Sequence, residues 1–308
     1  MFDPQRAADL QGPLYGVEPV PPEAFIAPAL IDTGRLAFRA LPADIEQLNR
    51  RAVDRGDVPV TALSLRCWAD VADRYAITSC GGSFGEGFGP KLVARASDTR
   101  INCHNCVKPP GRTIAIPGRR TTAFLVLGML LGERVLAQEG KFIEMPFDRI
   151  TAAVAEGRAD AGVVIHEDQL SFEDRGLRQV IDLGAWWRQV TGLPLPLGVN
   201  AVRRDLDAQH GPGTLDQVDG LLHRSVAVAM DQWDRSVDYT MAFARANALR
   251  SGAEPPSRER VERYCRMYVS PLTKEMGPAG REAIRAVLDR GAAMGLCPNP
   301  HVEPLTTT

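Results

Sequence analysis

The sequence predicts an α/β protein in which a mostly parallel sheet is followed by a helical C-terminal part. Between residues 57 and 167, short apolar segments alternate with segments of helical periodicity. Strands that alternate with helices in this way form βαβ units. From about Asp205 onward every remaining segment has helical spacing of its apolar residues, so no further strand is expected there.

The first elements follow from periodicity and from their flanking residues. In LPADIEQLNRRAVDRG the apolar residues Ile45, Leu48 and Val53 recur at helical spacing, and Gly56 ends the helix. The next segments predict, in order, the strand DVPVTALSL (57–65), a helix in CWADVADRYAIT (67–78), the strand PKLVARA (90–96) and the polar loop INCHNCVKPPGRT (101–113).

The second part repeats this alternation and then becomes helical. It predicts the strand TIAIPG (113–118), the helix RRTTAFLVLGMLLGE (119–133), the strand KFIEMPF (141–147), the helix DRITAAVAEGRA (148–159) and the strand DAGVVIHE (160–167). Four helices follow within 214–295, and Ser257 is the expected N-cap of the third, with Glu259 in its first turn.

Composition excludes several classes of function. The 308 residues carry a formal net charge of −2, so neither nucleic acid nor an anionic membrane is an expected partner. The longest apolar run, AFLVLGMLLG from Ala123, is too short to cross a bilayer and predicts a buried helix. The first 16 residues lack the apolar core of a signal peptide, and the six cysteines lack a disulfide framework, which favours the cytoplasm.

His166 is the strongest candidate for a catalytic residue. It follows Val163, Val164 and Ile165, which are typical of a fully buried strand, and Gly162 before them indicates close backbone approach. A histidine there is either a core residue with a hydrogen-bonding partner or a general base. Ligands of open α/β sheets bind at the carboxyl ends of strands, and this position favours the base.

Thr121 and Thr122 in IAIPGRRTTAF are candidate substrate-binding residues. A strand, a Pro117–Gly118 turn and two threonines at the start of a helix would place hydroxyl and N–H groups where carboxylates bind. The simpler interpretation is that Thr121 only caps its helix. We expect a small carboxylated molecule as the partner.

Two further motifs have weaker interpretations. The glycine-rich stretch SCGGSFGEGFGP (79–90) lacks the spacing of a dinucleotide loop and leads into a strand, so it predicts a closely packed or flexible cleft edge. Gly82 and Ser83 within it are candidate substrate contacts. The CHNC motif at Cys103 and Cys106 has no second pair that would complete a zinc site, so we expect no metal and no cofactor, although a metal or redox role stays open.

Several of these motifs together resemble one enzyme family. IAIPGRRTTAF, FDRITAAVAEGRADAGVVIHE, GLRQVIDLGAWWRQVTGLPLPLG and RRDL are similar to the 1,4-dihydroxy-6-naphthoate synthases of the futalosine route to menaquinone. The resemblance implies a two-lobed fold like that of type II periplasmic binding proteins, with a cleft between the lobes. We place lobe 1 at residues 1–108 and 206–308, and lobe 2, which carries the threonines and the histidine, at 109–205.

The resemblance also implies roles for individual residues. His166 matches the proton acceptor of the family, Thr121 and Thr122 match its paired substrate-binding threonines, and Ser64 matches a substrate-contacting serine. The implied reaction is a cofactor-independent cleavage of carbon–carbon bonds that releases the naphthoate from cyclic dehypoxanthine futalosine. A homodimer is compatible with these observations.

The chain also departs from the family pattern. Residues Glu18–Phe25 replace a polar strand end, Ala62 stands where a lysine is frequent, and INCHNCVKPP adds length. Two alternatives therefore stay open beside the synthase. One is a paralogous enzyme of specialised metabolism that acts on another small carboxylated substrate, and the other is a non-catalytic cytoplasmic binding protein for a small acid. A metal protein built on the CHNC motif is the least favoured.

Overall fold

The computed structural model describes residues 36, 38, 43–251, 254–300 and 305. The segment Glu18–Phe25, on which the sequence departs from the family pattern, lies outside these residues, as does the N-terminus. The chain forms two compact units: the first comprises 1–84, 198–282 and 300–308, and the second comprises 85–197 and 283–299.

These boundaries differ from those expected at 108/109 and 205/206. Residues 85–108 belong to the second unit because the strand Lys91–Arg95 pairs with two strands of that unit. Residues 283–299 also belong there, because their backbone at Gly291 packs closely against Leu125 of the second unit. A Cβ atom added to Gly291 would lie 3.1 Å from the Leu125 side chain. Contacts between segments far apart in sequence therefore determine where the units divide.

The five strands expected from the sequence are all present, whereas four further strands, at 75–77, 83–85, 177–182 and 195–203, were not expected. The strands are β1 (Val60–Ser64), β2 (Tyr75–Ile77), β3 (Ser83–Gly85), β4 (Lys91–Arg95), β5 (Ile114–Ile116), β6 (Phe142–Glu144), β7 (Ala161–Val164), β8 (Leu177–Asp182) and β9 (Leu195–Arg203). The helices are α1 (Ile45–Asp54), α2 (Leu65–Trp68), α3 (Thr122–Leu131), α4 (Glu133–Leu136), α5 (Ile150–Ala155), α6 (Leu183–Thr191), α7 (Leu206–His210), α8 (Thr214–Asp231), α9 (Trp233–Ser251), α10 (Arg258–Tyr268), α11 (Pro271–Lys274) and α12 (Gly277–Ala293).

Several local predictions are confirmed and two are corrected. The Ser257 hydroxyl accepts a hydrogen bond from the N–H of Arg260 and caps α10 as expected. The helix expected over 67–78 is only the single turn α2, because the chain turns after Trp68, whose indole N–H donates to the carbonyl of Tyr75. The strand expected over 160–167 ends at Val164, and His166 begins a 3-10 helix.

The prediction of a mostly parallel arrangement is wrong. In the second unit the strand order is β6-β5-β7-β4-β8, in which β5 runs parallel to β6 and β7 while β4 runs antiparallel to β7 and β8. In the first unit β9 runs antiparallel to both β1 and β2, and β3 also pairs with it. Periodicity identifies a strand but not its direction, so this pairing was not predictable from the alternation alone.

Each unit has its own apolar core. In the first unit a cluster that includes Val60, Val202 and Leu221 packs β1 and β9 against α8. In the second, a cluster that includes Val93, Ile150 and Val164 packs α5 onto the sheet. Every residue of α3 except Phe124 is buried, which confirms the buried helix expected from AFLVLGMLLG. Within the described residues, no helix is long and apolar enough to cross a membrane.

The second half of the glycine-rich stretch packs closely, as one of the two interpretations of the sequence expected. A Cβ on Gly89 would lie 2.8 Å from the backbone nitrogen of Gly184, and one on Gly184 would lie 2.1 Å from the carbonyl carbon of Phe88. The backbones of residues 88–89 and of the first turn of α6 therefore touch where only glycine fits. The N-cap of this helix is Asp182, whose carboxylate accepts from the N–H groups of Gly184 and Ala185.

We predict that Gly184→Ala lowers the free energy of unfolding by about 1–3 kcal/mol, because the added methyl group meets backbone atoms that cannot move aside cheaply. The matched control is Gly220→Ala in α8, where the nearest heavy atom to the added Cβ is 3.9 Å away. That substitution should stabilise by about 0.5–1 kcal/mol through helix propensity. Chemical denaturation measures both, and effects of the same sign would contradict the packing described.

Candidate active site

Three parallel strands of the second unit end at the same edge of their sheet. Because β5 runs parallel to both β6 and β7, the residues that follow them are neighbours in space. Thr121 and Thr122 follow β5, Phe147 follows β6, and His166 follows β7, the central strand. The structure thus brings together three of the residues selected from the sequence and adds Phe147 to them.

Gly162 lets β7 occupy this central position. A Cβ on Gly162 would lie 2.6 Å from Ile150 Cγ2 and 2.8 Å from Val154 Cγ2, both on α5. The close backbone approach expected at this glycine is therefore confirmed. Since α5 rests directly on β7, the strand end that carries His166 is held by a buried core.

His166 has an unusual backbone conformation. Its φ is +56°, and it is the only non-glycine residue with a positive φ in the described part of the chain. This left-handed region costs about 1–2 kcal/mol for a residue with a Cβ, although histidine is among the types enriched there. Such strain is concentrated at functional sites, where the surrounding structure enforces it.

The imidazole of His166 packs against an aromatic ring. The centroids of the Phe147 and His166 rings lie 4.3 Å apart with an interplanar angle of 49°, and His166 is half-buried. This contact shields one face of the imidazole and limits its rotation. Of the two acids after His166, Asp168 accepts a hydrogen bond from Thr151 Oγ1 (3.3 Å), whereas the Glu167 side chain lies outside what the structure describes.

Both threonines are buried and hydrogen-bonded to backbone. Thr121 is the N-cap of α3: its hydroxyl accepts from the N–H of Phe124 at 3.2 Å and donates to the carbonyl of Gly118 at 2.7 Å. The hydroxyl of Thr122 donates to the carbonyl of Leu197 at 2.6 Å. Thr121 therefore does cap its helix, and the hydroxyl protons of both residues are directed at carbonyl groups.

Lys91 is a charged residue near this edge that the sequence analysis did not select. It begins β4 and lies opposite Val164 of β7 and opposite Asp182 of β8. Its Nζ lies 5.5 Å from the centroid of the Phe172 ring. Burial raises the pKa of the Asp182 carboxyl. The N–H groups from which it accepts hydrogen bonds and the positive charge of Lys91 lower this pKa, but by less than burial raises it. The position of Lys91 depends on antiparallel pairing, which no local pattern indicates.

Ser64, Gly82 and Ser83 belong to the first unit. Ser64 ends β1, and its backbone and hydroxyl both bond to the buried Asn49: Asn49 Oδ1 accepts from Ser64 N–H, and Asn49 Nδ2 donates to Ser64 Oγ, each at 3.0 Å. Ser83 Oγ accepts from the N–H of Gly198 at 3.1 Å, and Gly198 is also the register partner of Ser64.

A buried amide lies directly across from Ala62. Asn200 is its register partner on β9 and is only 2% exposed. Within the described residues its Nδ2 has no hydrogen-bond partner. A Cβ on Gly81 would lie 1.9 Å from that nitrogen, so the amide packs into the space that this glycine leaves. Asn200 was missed because it stands inside a strand, where an asparagine gives no functional signal.

Solved structures of low identity establish the class of fold. The periplasmic aliphatic sulphonate binding protein of Escherichia coli superposes with a TM-score of 0.59 at 13% identity, over 92% of this chain and 85% of that one. A Candida albicans protein described as having the generic periplasmic binding protein fold gives 0.61 at 10% identity, over 93% and 90%. The chain therefore has the periplasmic-binding-protein fold, which confirms the predicted fold class.

Closer relatives establish the family. A family model described as menaquinone biosynthesis matches residues 16–293. Over 290 residues the chain is 36% identical to the 1,4-dihydroxy-6-naphthoate synthase of Thermus thermophilus (92% of this chain, 96% of the relative). Over 283 residues it is 33% identical to the synthase of the same name from Streptomyces coelicolor (91% and 93%). The chain belongs to the menaquinone biosynthesis family, whose curated relatives are named as enzymes.

A solved structure agrees with this assignment. The crystal structure of a protein from Archaeoglobus fulgidus shares 36% identity with the chain and superposes with a TM-score of 0.71, over 89% of this chain and 94% of that one. The resemblance recognised in IAIPGRRTTAF and the neighbouring motifs is thus confirmed at the level of the family. The roles of His166, Thr121, Thr122, Ser64, Gly82 and Ser83 stay predictions.

We predict that His166→Gly yields a more stable protein than His166→Ala. Both variants remove the imidazole, but only glycine adopts φ +56° without strain. The glycine variant should exceed the alanine variant by about 1–2 kcal/mol in the free energy of unfolding. Denaturant titration of the two variants measures the difference, and an alanine variant as stable as the glycine variant would show that His166 is not strained.

Proposed function

We propose that the protein is a 1,4-dihydroxy-6-naphthoate synthase. It would act on cyclic dehypoxanthine futalosine as a cofactor-independent carbon–carbon lyase, with His166 as the general base. Family membership supports the substrate class, since both curated relatives carry that name. The observation that carries the residue assignment is the strained His166 after the central strand, at the sheet edge from which the chain also enters α3.

The conformation of His166 supports a catalytic role over a core role. A histidine that only filled space would gain nothing from φ +56°, and selection for stability would favour glycine at this position. The strain is explained if the imidazole must lie at the edge where the other parallel strands end. Packing against Phe147 at 4.3 Å then holds the ring in one orientation for proton transfer.

The chemistry needs one base that works near neutral pH. Neutral imidazole accepts protons in this range, which makes histidine suited to the step. In the proposed reaction His166 removes the proton of a substrate hydroxyl, and the electron pair left on that oxygen forms a carbonyl group. A carbon–carbon bond breaks in a retro-aldol sense, and its electron pair passes to an adjacent carbonyl of the substrate as an enolate. Formation of the aromatic naphthoate supplies the driving force.

The first turn of α3 is the proposed site for the substrate carboxylate. Because both threonine hydroxyl protons are donated to backbone carbonyls, the donors for an anion would be first-turn N–H groups such as that of Ala123. The positive end of the helix dipole also favours negative charge there. Thr121 and Thr122 then act mainly by fixing the helix end, with lone pairs left on their oxygens for a substrate hydroxyl.

We predict that His166→Ala lowers kcat/KM for cyclic dehypoxanthine futalosine by about 10²–10⁴-fold, the usual contribution of a general base. Release of the naphthoate, followed by mass, measures the rate. The matched control is His223→Ala, which removes a partly exposed histidine paired with Glu275 at 3.0 Å on the first unit and should leave turnover unchanged. Normal turnover by the folded His166→Ala protein would end the assignment.

We further predict different effects of two substitutions at Thr121. Thr121→Ala removes the cap of α3, which costs about 1 kcal/mol of stability. Because the anion-binding turn then frays, KM should rise by about 2- to 30-fold, which corresponds to ~0.5–2 kcal/mol of binding free energy. Thr121→Ser keeps the hydroxyl and should remain close to the wild type in both quantities. An unchanged KM in the alanine variant would place the carboxylate elsewhere.

One observation favours a second candidate function, a paralogous enzyme for another small carboxylated substrate. Where a lysine is frequent in the family, this chain has Ala62, and the buried donor beside it is the neutral amide of Asn200. A substrate group that needs a positively charged partner would meet the neutral amide of Asn200 at this position. A folded protein that binds aromatic acids but releases no naphthoate from cyclic dehypoxanthine futalosine would support this candidate over the synthase.

A further inference from the structure

The insert that sets this chain apart from the family pattern contains a pair of adjacent thiols. Cys103 is the N-cap of a 3-10 helix, His104–Val107, that contains Cys106, and the N–H of Cys106 donates to the carbonyl of Cys103 at 3.0 Å. Their sulfur atoms lie 3.0 Å apart and share a hydrogen bond. Both cysteines are free thiols and half-buried, so small molecules can reach them.

The spacing of the two cysteines in this turn is compatible with a disulfide. A hydrogen bond from residue i+3 to residue i closes a turn in which the two Cα atoms lie within about 7 Å, and disulfides span about 4.4–6.8 Å between Cα atoms. The two sulfur atoms need to approach by only about 1 Å to reach the bond length of a disulfide. Oxidation would therefore leave the backbone of the turn almost unchanged.

Two side chains of the same unit, the buried Lys141 and the half-buried Gln138, bind the segment that follows the turn. Nζ of Lys141, itself 2% exposed, donates to the carbonyl groups of Val107 and of Pro109 (2.8 Å for the latter). Gln138 Nε2 donates to the carbonyl of Lys108 at 2.9 Å. A turn fixed in this way keeps the two thiols close in the reduced protein and raises their effective concentration for each other.

The two thiols are not equivalent. The hydrogen bond from Cys103 lowers the pKa of the Cys106 thiol below its ordinary value, and nearby backbone groups and the charge of Arg112 act in the same direction. Lower pKa increases the thiolate fraction at neutral pH, and the thiolate is the nucleophile in exchange reactions. A larger thiolate fraction at Cys106 favours it as the attacking sulfur, which leaves Cys103 as the resolving one.

We propose that Cys103 and Cys106 form a reversible thiol–disulfide site that is oxidised by small disulfides such as glutathione disulfide. The Cys106 thiolate attacks one sulfur of glutathione disulfide, and one glutathione thiolate leaves. Cys103 then loses its proton to solvent and attacks the Cys106 sulfur, which expels the second glutathione. Two protein thiols are oxidised to one disulfide while one glutathione disulfide is reduced to two thiols.

The described surroundings favour this chemistry over metal binding. Within the residues that the structure describes, no group of three or more His, Cys, Asp or Glu side chains is placed to hold a metal ion. Two thiols alone do not complete a zinc site, which takes four ligands. The proposed site is also independent of the proposed synthase activity, because its chemistry involves neither His166 nor the substrate.

The test is thiol counting and peptide mapping of the full-length protein equilibrated with glutathione disulfide. The wild type should lose two of its six thiols, contain a peptide with a Cys103–Cys106 bond, retain no glutathione, and recover all six thiols with dithiothreitol. Cys103→Ser should accumulate one stable glutathione adduct at Cys106, whereas Cys106→Ser should form its adduct at Cys103 more slowly.

Either of two results would overturn the proposal. In one, the wild type keeps glutathione on either cysteine or forms dimers linked through them, so that the pair does not close. In the other, Cys103 and Cys106 stay reduced while the half-buried Cys265 or Cys297, which serve as internal controls, become oxidised. Because the wild type alone separates these outcomes, the test does not depend on how well the serine variants fold.

Discussion

The parallel pairing of β5 with its two neighbours determines which side chains of the second unit can meet. Since β5, β6 and β7 run in one direction, whatever follows each strand is delivered to one edge of the sheet. The capped start of α3, the ring of Phe147 and the imidazole of His166 are placed there by this single constraint. Gly162 supports this arrangement, because a Cβ there would lie within 3 Å of the Ile150 and Val154 side chains of α5 and something would have to shift.

The same edge contains the only non-glycine residue of the described chain that has a positive φ. At φ +56° His166 is held against its preference, while the capped helix start and the glycine contacts around it are locally favourable. A protein tolerates such a conflict when the surrounding packing outweighs it and function benefits. The aromatic contact with Phe147 and the buried core under β7 provide that packing.

Local sequence signals identified those candidate residues that directly follow a strand or begin a helix. His166 and Thr121 were found because a buried strand and a helix start each have a pattern that can be recognised within about ten residues. Lys91 and Asn200 were not found, since their positions depend on antiparallel partners far away in the sequence, Val164 and Ala62. The strain at His166 was not predicted either, because the enrichment of histidine at positive φ is too weak to identify a single position.

The central claim is that the general base and the carboxylate site share one edge of the second unit. Nitrogen NMR of protein labelled in its five histidines, titrated with 1,4-dihydroxy-6-naphthoate, tests this directly. The account predicts that the imidazole resonance missing from the His166→Ala protein shifts saturably as the naphthoate binds. Saturable binding that leaves the His166 resonance unmoved would contradict it.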